Sequence, residues 1–405
     1  MWAGREQKRV DACDVVVVGA GLVGAAVATR LVREGFDTAV LEAQTVAGGA
    51  TGRSAGMVLT GLMGHYNQAV SVYGRQRAQE IWALTVEGQR RLVEAAGRVG
   101  VPVERTGSLA LAVEDAEVDA LKESAQLLRE DGFDAWFGPI DPLERGFRAA
   151  LRQPNDVTMD PTALTRALLA AGTVTVHERT EVYNLELEHD AVRVWAQGRT
   201  VLCDAVVLAL NGYAPLFDGY FTDKVAPTRS LVFATGPLDA MVLQQPCCAD
   251  YGYAYGWQWP DRRLLVGGHP HPRPFPLGGR RESDPRPQPF SLGGGRESDP
   301  RPQPFSLGGG KEDELGDVVW DGLARFAARY FPEVDVHGAS RWSGMTGFTP
   351  DGLPLVGRLP DLPQVYFAVG LGGRGLAWAF VVAERLVELM LRDADPGILS
   401  ATRLG

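Results

Sequence analysis

Residues 14–42 constrain this chain more than any other stretch, because they read as strand, glycine turn, helix, second strand and terminal acid. Val15–Val18 is a continuous apolar run, Gly19, Gly21 and Gly24 open an Ala-rich helix, and Glu42 ends the next apolar run. That order is the one a dinucleotide site requires. Gly19 permits the tight turn, Gly21 lets the backbone approach a pyrophosphate, and Gly24 lets helix and strand pack closely. Leu22 and Val23 begin the helix, whose N-terminus offers N–H groups and positive potential to an anion. Glu42 is placed to accept hydrogen bonds from a ribose hydroxyl. The turn leaves the identity of the dinucleotide open.

A length of 405 residues exceeds one compact core and predicts two domains, or one domain with a large insertion. With 45% apolar and 22% charged residues the composition is that of an ordinary globular protein. A net charge of -10, without a Lys/Arg block, argues against a nucleic-acid partner. The charged N-terminus leads straight into the glycine fingerprint, not into a cleavable signal, and no apolar run reaches membrane-helix length. Cys13, Cys203, Cys247 and Cys248 have neither disulfide-framework nor zinc spacing, which predicts a reducing, cytoplasmic setting. Among the histidines only His269 and His271 stand close together, so no metal site is expected.

Segments distant in sequence share one character. The run Ala205–Leu210 reads as a buried parallel strand, and 174–182 with 185–194 alternate as strands and hairpins do. Pro161 opens a helical period. Residues 75–97 and 114–130 read as amphipathic helices, with Ile81, Leu84 and Val86, then Leu121, Leu127 and Leu128, on their apolar faces. Residues 225–268 read as antiparallel strands. Within them Tyr251, Tyr253, Tyr255, Trp257 and Trp259 fall at every second position, which puts all five rings on one sheet face. Such a stripe is either plain core or the wall of a cavity over a flat cofactor.

The 15 residues 281–295 recur letter for letter at 296–310, rich in Pro and Gly. Two short copies cannot build a solenoid, so 276–310 reads as a duplicated surface loop whose removal leaves cofactor content and turnover unchanged. The sharper alternative is docking of a partner.

A second glycine-rich loop, Gly370-Leu-Gly372-Gly373-Arg374-Gly375, precedes an apolar helix over 376–391. Too little chain remains after it for a second strand and acid, so it is not another dinucleotide unit. A helix N-terminus facing developing negative charge suits the pyrimidine edge of a reduced flavin, and Arg374 reinforces it. The cofactor expected is FAD.

At this point the chain resembles the FAD-dependent amine and amino-acid oxidases typified by D-amino-acid oxidase, glycine oxidase and monomeric sarcosine oxidase. The resemblance is carried by the fingerprint with Glu42, by Gly48–Gly56, by Arg341-Trp342-Ser343-Gly344 with Thr349–Gly357, and by Gly372–Gly375. It spans nearly the whole length apart from the repeat. It implies an α/β, two-domain flavoprotein in which a Rossmann-type FAD-binding domain is interleaved with an antiparallel-sheet substrate domain. The expected boundaries are 10–75, 155–222 and 336–395 for the first, and 76–154 and 223–335 for the second. It further implies FAD contacts from Ala43 beside Glu42, from Gly49, Ala50, Thr51, Arg53, Ser54, Ala55 and Gly56, from the Val182 backbone at adenine, and from Ala209, Asn211 and Gly212. Gly344, Gly372, Gly373, Arg374 and Gly375 complete the set.

Departures from the family are equally informative. The cysteine that anchors flavin in sarcosine oxidase aligns with Gly344, so the FAD is expected to be noncovalent. The arginine and lysine that grip the substrate carboxylate align with Val70 and Ala377, which implies an amine without a nearby carboxylate, a larger amine as in the similar gamma-glutamylputrescine oxidoreductases, or a new anchor at Arg374. A lysine linked to oxygen reactivity aligns with Leu265, leaving oxygen, a quinone or a carrier protein as acceptor. His65 and Tyr66 fall in a loop where relatives place substrate contacts.

The chemistry expected is hydride transfer from the carbon of a neutral amine to flavin N5, giving an imine that water hydrolyses. Tyr253, Tyr255, Trp257, His269 and Arg374 are the expected pocket residues. Oxidation of a 2-hydroxy acid, or a flavin-binding partner protein without catalysis, are the alternatives. Oligomeric state is not legible.

Overall fold

The computed structural model describes residues 10–268, 312–336 and 338–405. The duplicated segment and the candidate pocket residue His269 lie outside the described residues, as does the N-terminal segment 1–9. Two eight-stranded sheets and a small three-stranded one organise the rest.

In the first sheet the strand Val10–Val18 lies between Thr38–Leu41 and Arg199–Leu208, parallel to both. Thr175–His177 extends it beyond Thr38–Leu41, and Val365–Val369 pairs with the end of Arg199–Leu208. These strands are apolar on both faces because both are covered: Val17, Val40 and Val207 pack with residues of the flanking helices, Val16 and Val206 pack with Val182, Val194 and Phe221, and all five are fully buried. The helix Leu22–Arg33 buries nearly its whole length, and Gly24 makes that possible, since a Cβ there would stand 2.0 Å from the Gly19 carbonyl oxygen. The helix Pro161–Ala171 begins at Asp160, whose carboxylate accepts the Thr162 and Ala163 N–H groups. Of the alternating stretch at 174–194, Val182–Glu188 and Ala191–Ala196 form the expected hairpin, whereas Thr175–His177 joins the parallel layer.

The second sheet is antiparallel at one end, where the edge strand Ser340–Phe348, then Ala226–Pro237, Arg263–Gly268 and Ala254–Gln258 lie side by side. It continues through Cys247–Ala249, Ser108–Leu111, Ala150–Gln153 and Trp136–Gly138. The expected helices run Arg75–Arg98 and Asp115–Glu130. On the first, Val86 faces solvent at 39% exposure, and Trp82, Thr85, Gly88 and Gln89 occupy the buried stripe instead.

The five-ring stripe does not hold. Asp250 and Tyr251 both take left-handed backbone with φ of 52°, and Gly252 follows at 89°, so the chain turns before the strand begins at Ala254. Strand alternation therefore applies to Tyr255 and Trp257 but not to Tyr251 or Tyr253. Non-glycine residues in that region cost about 1–2 kcal/mol each, so neighbouring contacts must hold the turn.

Candidate active site

Four loops far apart in sequence converge where the two large sheets meet. The first is the fingerprint. Gly19 has φ of 105°, and a Cβ on it would stand 2.8 Å from the Ala209 carbonyl oxygen, so no side chain fits. The Leu22 N–H, first of the helix, donates to Thr51 Oγ1 at 3.0 Å, and the helix has no side-chain cap at Gly21. Glu42 accepts the Ala20 N–H through Oε2 and the Gln44 N–H through Oε1, both at 2.8 Å. A carboxylate has about four acceptor positions, so the carboxylate is oriented yet retains capacity for hydroxyl donors. The Thr180 N–H donates to the Glu42 carbonyl at 2.7 Å, two residues before Val182, 7% exposed, opens the edge strand Val182–Glu188. Ala43 beside Glu42 is exposed.

The second loop, from Gly48 to Gly56, is locked to the antiparallel sheet. Arg53 donates from Nε to the Gly48 carbonyl at 3.0 Å and from Nη1 to the Ser343 carbonyl at 2.8 Å. Trp342 Nε1 returns a bond to the Arg53 carbonyl at 3.0 Å. Gly344 lies against this arginine, with its would-be Cβ 3.3 Å from the Arg53 Cβ. Gly49, Ala50 and Thr51 open the short helix Ala50–Arg53, and the Ser54 hydroxyl donates to the Thr51 carbonyl. Ala55 and Gly56 are buried.

The third and fourth loops, 209–212 and 370–375, bind each other beside the first two. Asn211 Oδ1 accepts the Leu371 N–H at 3.0 Å, while Gly212 packs on the Thr346–Gly347 peptide at under 3 Å from a would-be Cβ. Gly372, Gly373 and Arg374 make a single tight turn ahead of the helix Gly375–Arg392. The fully buried Ala377 sits at a helix crossing, since a Cβ on Gly88 would meet its carbonyl oxygen at 1.9 Å. Val70 is partly buried against the same core. Neither position offers a charge.

A narrow cleft of about 20 Å³ reaches Arg374. Its walls include His65, Tyr66, Trp82, Gln153, Cys248 and Tyr251. His65 Nε2 is 2.9 Å from Glu117 Oε1, and the same carboxylate accepts the Tyr251 N–H at 2.8 Å and the Val113 N–H at 2.8 Å. Those bonds hold the left-handed turn, and the Tyr251 ring lies 4.9 Å from the imidazole. The Tyr66 hydroxyl donates to Asp131 Oδ2 at 2.7 Å. Arg374 donates from Nη1 to the Thr60 carbonyl. Burial pushes up the Cys248 thiol, against the opposing pull of the Arg374 cation, so it stays protonated.

Of the expected pocket residues that are described, Arg374 lines this cleft. Tyr255 lies across Gly267, whose would-be Cβ stands 2.3 Å from the ring, and packs with Ala55, Met57, Leu265 and Trp342. Trp257 is buried opposite Leu265 in the register. Tyr253 follows the turn, its phenol pushed up to about 12 by burial, with Asp250 adding to the rise. Sequence reading missed Thr60, Gln153, Cys248 and Asp156 at this end of the molecule.

A family model described as FAD dependent oxidoreductase matches residues 14–389. The chain belongs to this family, which holds the amine and amino-acid oxidases. It is 23% identical over 403 residues to the probable oxidoreductase OrdL of Haemophilus influenzae, covering 96% of this chain and 85% of that protein. To gamma-glutamylputrescine oxidoreductase of Escherichia coli it is 24% identical, covering 95% and 84%. The crystal structure of glycine oxidase from Geobacillus kaustophilus superposes with a TM-score of 0.71 at 20% identity, covering 97% of this chain and 99% of that one. The protein is an FAD-dependent oxidoreductase with the two-domain α/β fold of that structure. Its donor set fits such a cofactor: a helix start whose N-cap glycine supplies no side chain, glycines with no room for a Cβ, and a carboxylate oriented by two backbone N–H groups. Among the described residues no helix is long and apolar enough to cross a membrane, and no group of side chains is arranged to hold a metal ion.

Proposed function

We propose that this protein oxidises the carbon–nitrogen bond of an amine or amino acid whose anionic group is received by Arg374. The observation that carries this reading is a guanidinium in the wall of an otherwise largely apolar cleft, at the turn that opens the C-terminal helix. The names of two relatives, glycine oxidase and gamma-glutamylputrescine oxidoreductase, support an amine as the substrate class.

The fingerprint, Glu42, Arg53 and the loops at 209–212 and 372–375 would hold FAD, with Val182 at the adenine end. Bound FAD supplies the acceptor for the two electrons that leave the carbon beside nitrogen. The apolar walls from Trp82, Leu128 and Leu151 disfavour a protonated amine and so present the neutral form. Arg374 makes charge-assisted bonds to the substrate's carboxylate, which orients the carbon to be oxidised. The resulting imine is hydrolysed by water. Gly344 offers no thiol at the position of a covalent link, so FAD is held noncovalently.

Leu265 is fully buried among Ala55 and Val232, so this position itself offers no cation to assist oxygen. Oxygen is the acceptor by family habit, and comparing peroxide yield with dye reduction tests it. The deciding experiment is an anaerobic screen of amines, amino acids and 2-hydroxy acids, reading loss of flavin absorbance. Bleaching by an amine-bearing carboxylate supports the proposal; bleaching by hydroxy acids alone, or by nothing, refutes it. Arg374→Gln should raise KM for that substrate about 10–100-fold, the scale of one charged hydrogen-bonding partner.

A further inference from the structure

We propose that Asp156 is the positioning residue for Arg374, acting through Thr60. The inference rests on the reading of Arg374 as the substrate anchor.

Asp156 is 1% exposed and lies immediately before the strand Val157–Met159. Its Oδ1 accepts the Thr60 N–H at 3.0 Å, the Thr60 hydroxyl at 2.9 Å and the Gln89 amide at 3.2 Å. Oδ2 accepts the Ser108 hydroxyl at 2.6 Å. A buried carboxylate is costly unless its acceptors are filled, and here donors arrive from a loop, a helix and a strand. Burial pushes this carboxyl up, while its hydrogen bonds and the positive field of Arg374 pull the other way.

Thr60 is the shared element. Its N–H and hydroxyl face Asp156, and its carbonyl accepts the Arg374 guanidinium. Gln153, in the cleft wall, donates to the same hydroxyl at 2.9 Å. Thr60 is 6% exposed, so water does not compete with these bonds. Asp156 thus holds Thr60 by both its N–H and its hydroxyl and fixes the residue from which the carbonyl that receives Arg374 projects; that carbonyl lies in the next peptide group, whose Gly61 N–H donates to Thr85 Oγ1 at 2.7 Å and shares in aiming it.

The test uses the FAD-loaded enzyme, with acetate as a carboxylate probe and the flavin absorbance shift as the readout of Kd. Asp156→Ala should weaken acetate binding about tenfold or more, the loss expected when a charged group's hydrogen-bond support is removed. Asp156→Asn keeps an acceptor toward Thr60 and a donor toward the Ser108 oxygen, and should restore Kd to within about threefold. In an Arg374→Gln background, Asp156→Ala should add less than about threefold, the signature of two residues acting as one unit. A lowered Tm with unchanged Kd, or equal losses in both backgrounds, overturns the positioning role. Where Asp156→Ala does not fold, Thr60→Val removes one bond to Asp156 while keeping the carbonyl; unchanged acetate Kd in that variant overturns it too. If Arg374→Gln itself leaves acetate Kd unchanged, the anchor reading fails first, and the inference with it.

Discussion

Replacing Gly24 by alanine tests the architecture of the nucleotide site at its tightest point. The added Cβ would stand 2.0 Å from the Gly19 carbonyl oxygen and 3.1 Å from its carbonyl carbon, whereas ordinary contact begins near 3.4 Å. The helix Leu22–Arg33 and the turn must separate by more than about 1 Å, and overpacking of this kind costs about 1–3 kcal/mol. Alanine's helix preference returns at most about 1 kcal/mol, so a net loss of stability is expected. The larger effect falls on the cofactor. Shifting the first-turn N–H groups by that distance breaks at least one hydrogen bond to a charged group, worth about 1.5–3 kcal/mol, and weakens FAD binding about 10–100-fold. The assay is titration of apoprotein with FAD, following quenching of flavin fluorescence. Gly97→Ala is the control: Gly97 is exposed in the helix Arg75–Arg98 with nothing within 4 Å of a would-be Cβ. It should leave FAD affinity unchanged and raise stability by about 0.5–1 kcal/mol. If Gly24→Ala binds FAD like the parent, the placement of the pyrophosphate at this turn is wrong.

Precipitation with acid should release all flavin into the supernatant; yellow protein after washing would contradict noncovalent binding. Gly88→Ala should lower Tm, because its Cβ meets the Ala377 carbonyl at 1.9 Å and forces apart the two helices behind the 372–375 turn. A melting curve that overlays the parent's would show that the helices separate freely. Alkaline stability gives a further check. Burial pushes the Cys13 thiol from 9.0 to about 11, the Cys203 thiol from 9.0 to about 12, and Tyr253 from 10.0 to about 12. These acids ionise first in the unfolded chain, so their contribution is complete below about pH 9 and is lost as pH rises toward 12. Urea midpoints should hold steady from pH 7 to 8 and fall above 9; a midpoint constant to pH 11 would refute it.

The nucleotide half was legible because its signals are local: three glycines, an apolar strand and an acid within one stretch of chain, each tied to a backbone requirement. The helices over 75–98 and 115–130 were legible by their period, although Val86 turned outward while Thr85 and Gln89 turned in to hydrogen-bond. The aromatic stripe failed for a reason that alternation cannot carry: Glu117, more than a hundred residues away, holds the chain in a left-handed turn at Tyr251. The cluster around Asp156 was invisible because its partners lie 48 to 96 residues off, and Pro154-Asn155-Asp156 reads locally as a surface turn.

The strand order of the parallel sheet has a consequence for synthesis. Val10–Val18 is made well before its neighbour Arg199–Leu208, whose own partner Val365–Val369 follows much later again. The Leu371 N–H that Asn211 binds comes later still. Long-range parallel pairing of this kind is slow and leaves strand edges open while it waits. The nascent chain thus carries an unfinished nucleotide site until residues 365–371 have been made, and only then can it capture its flavin and close the sheet around it.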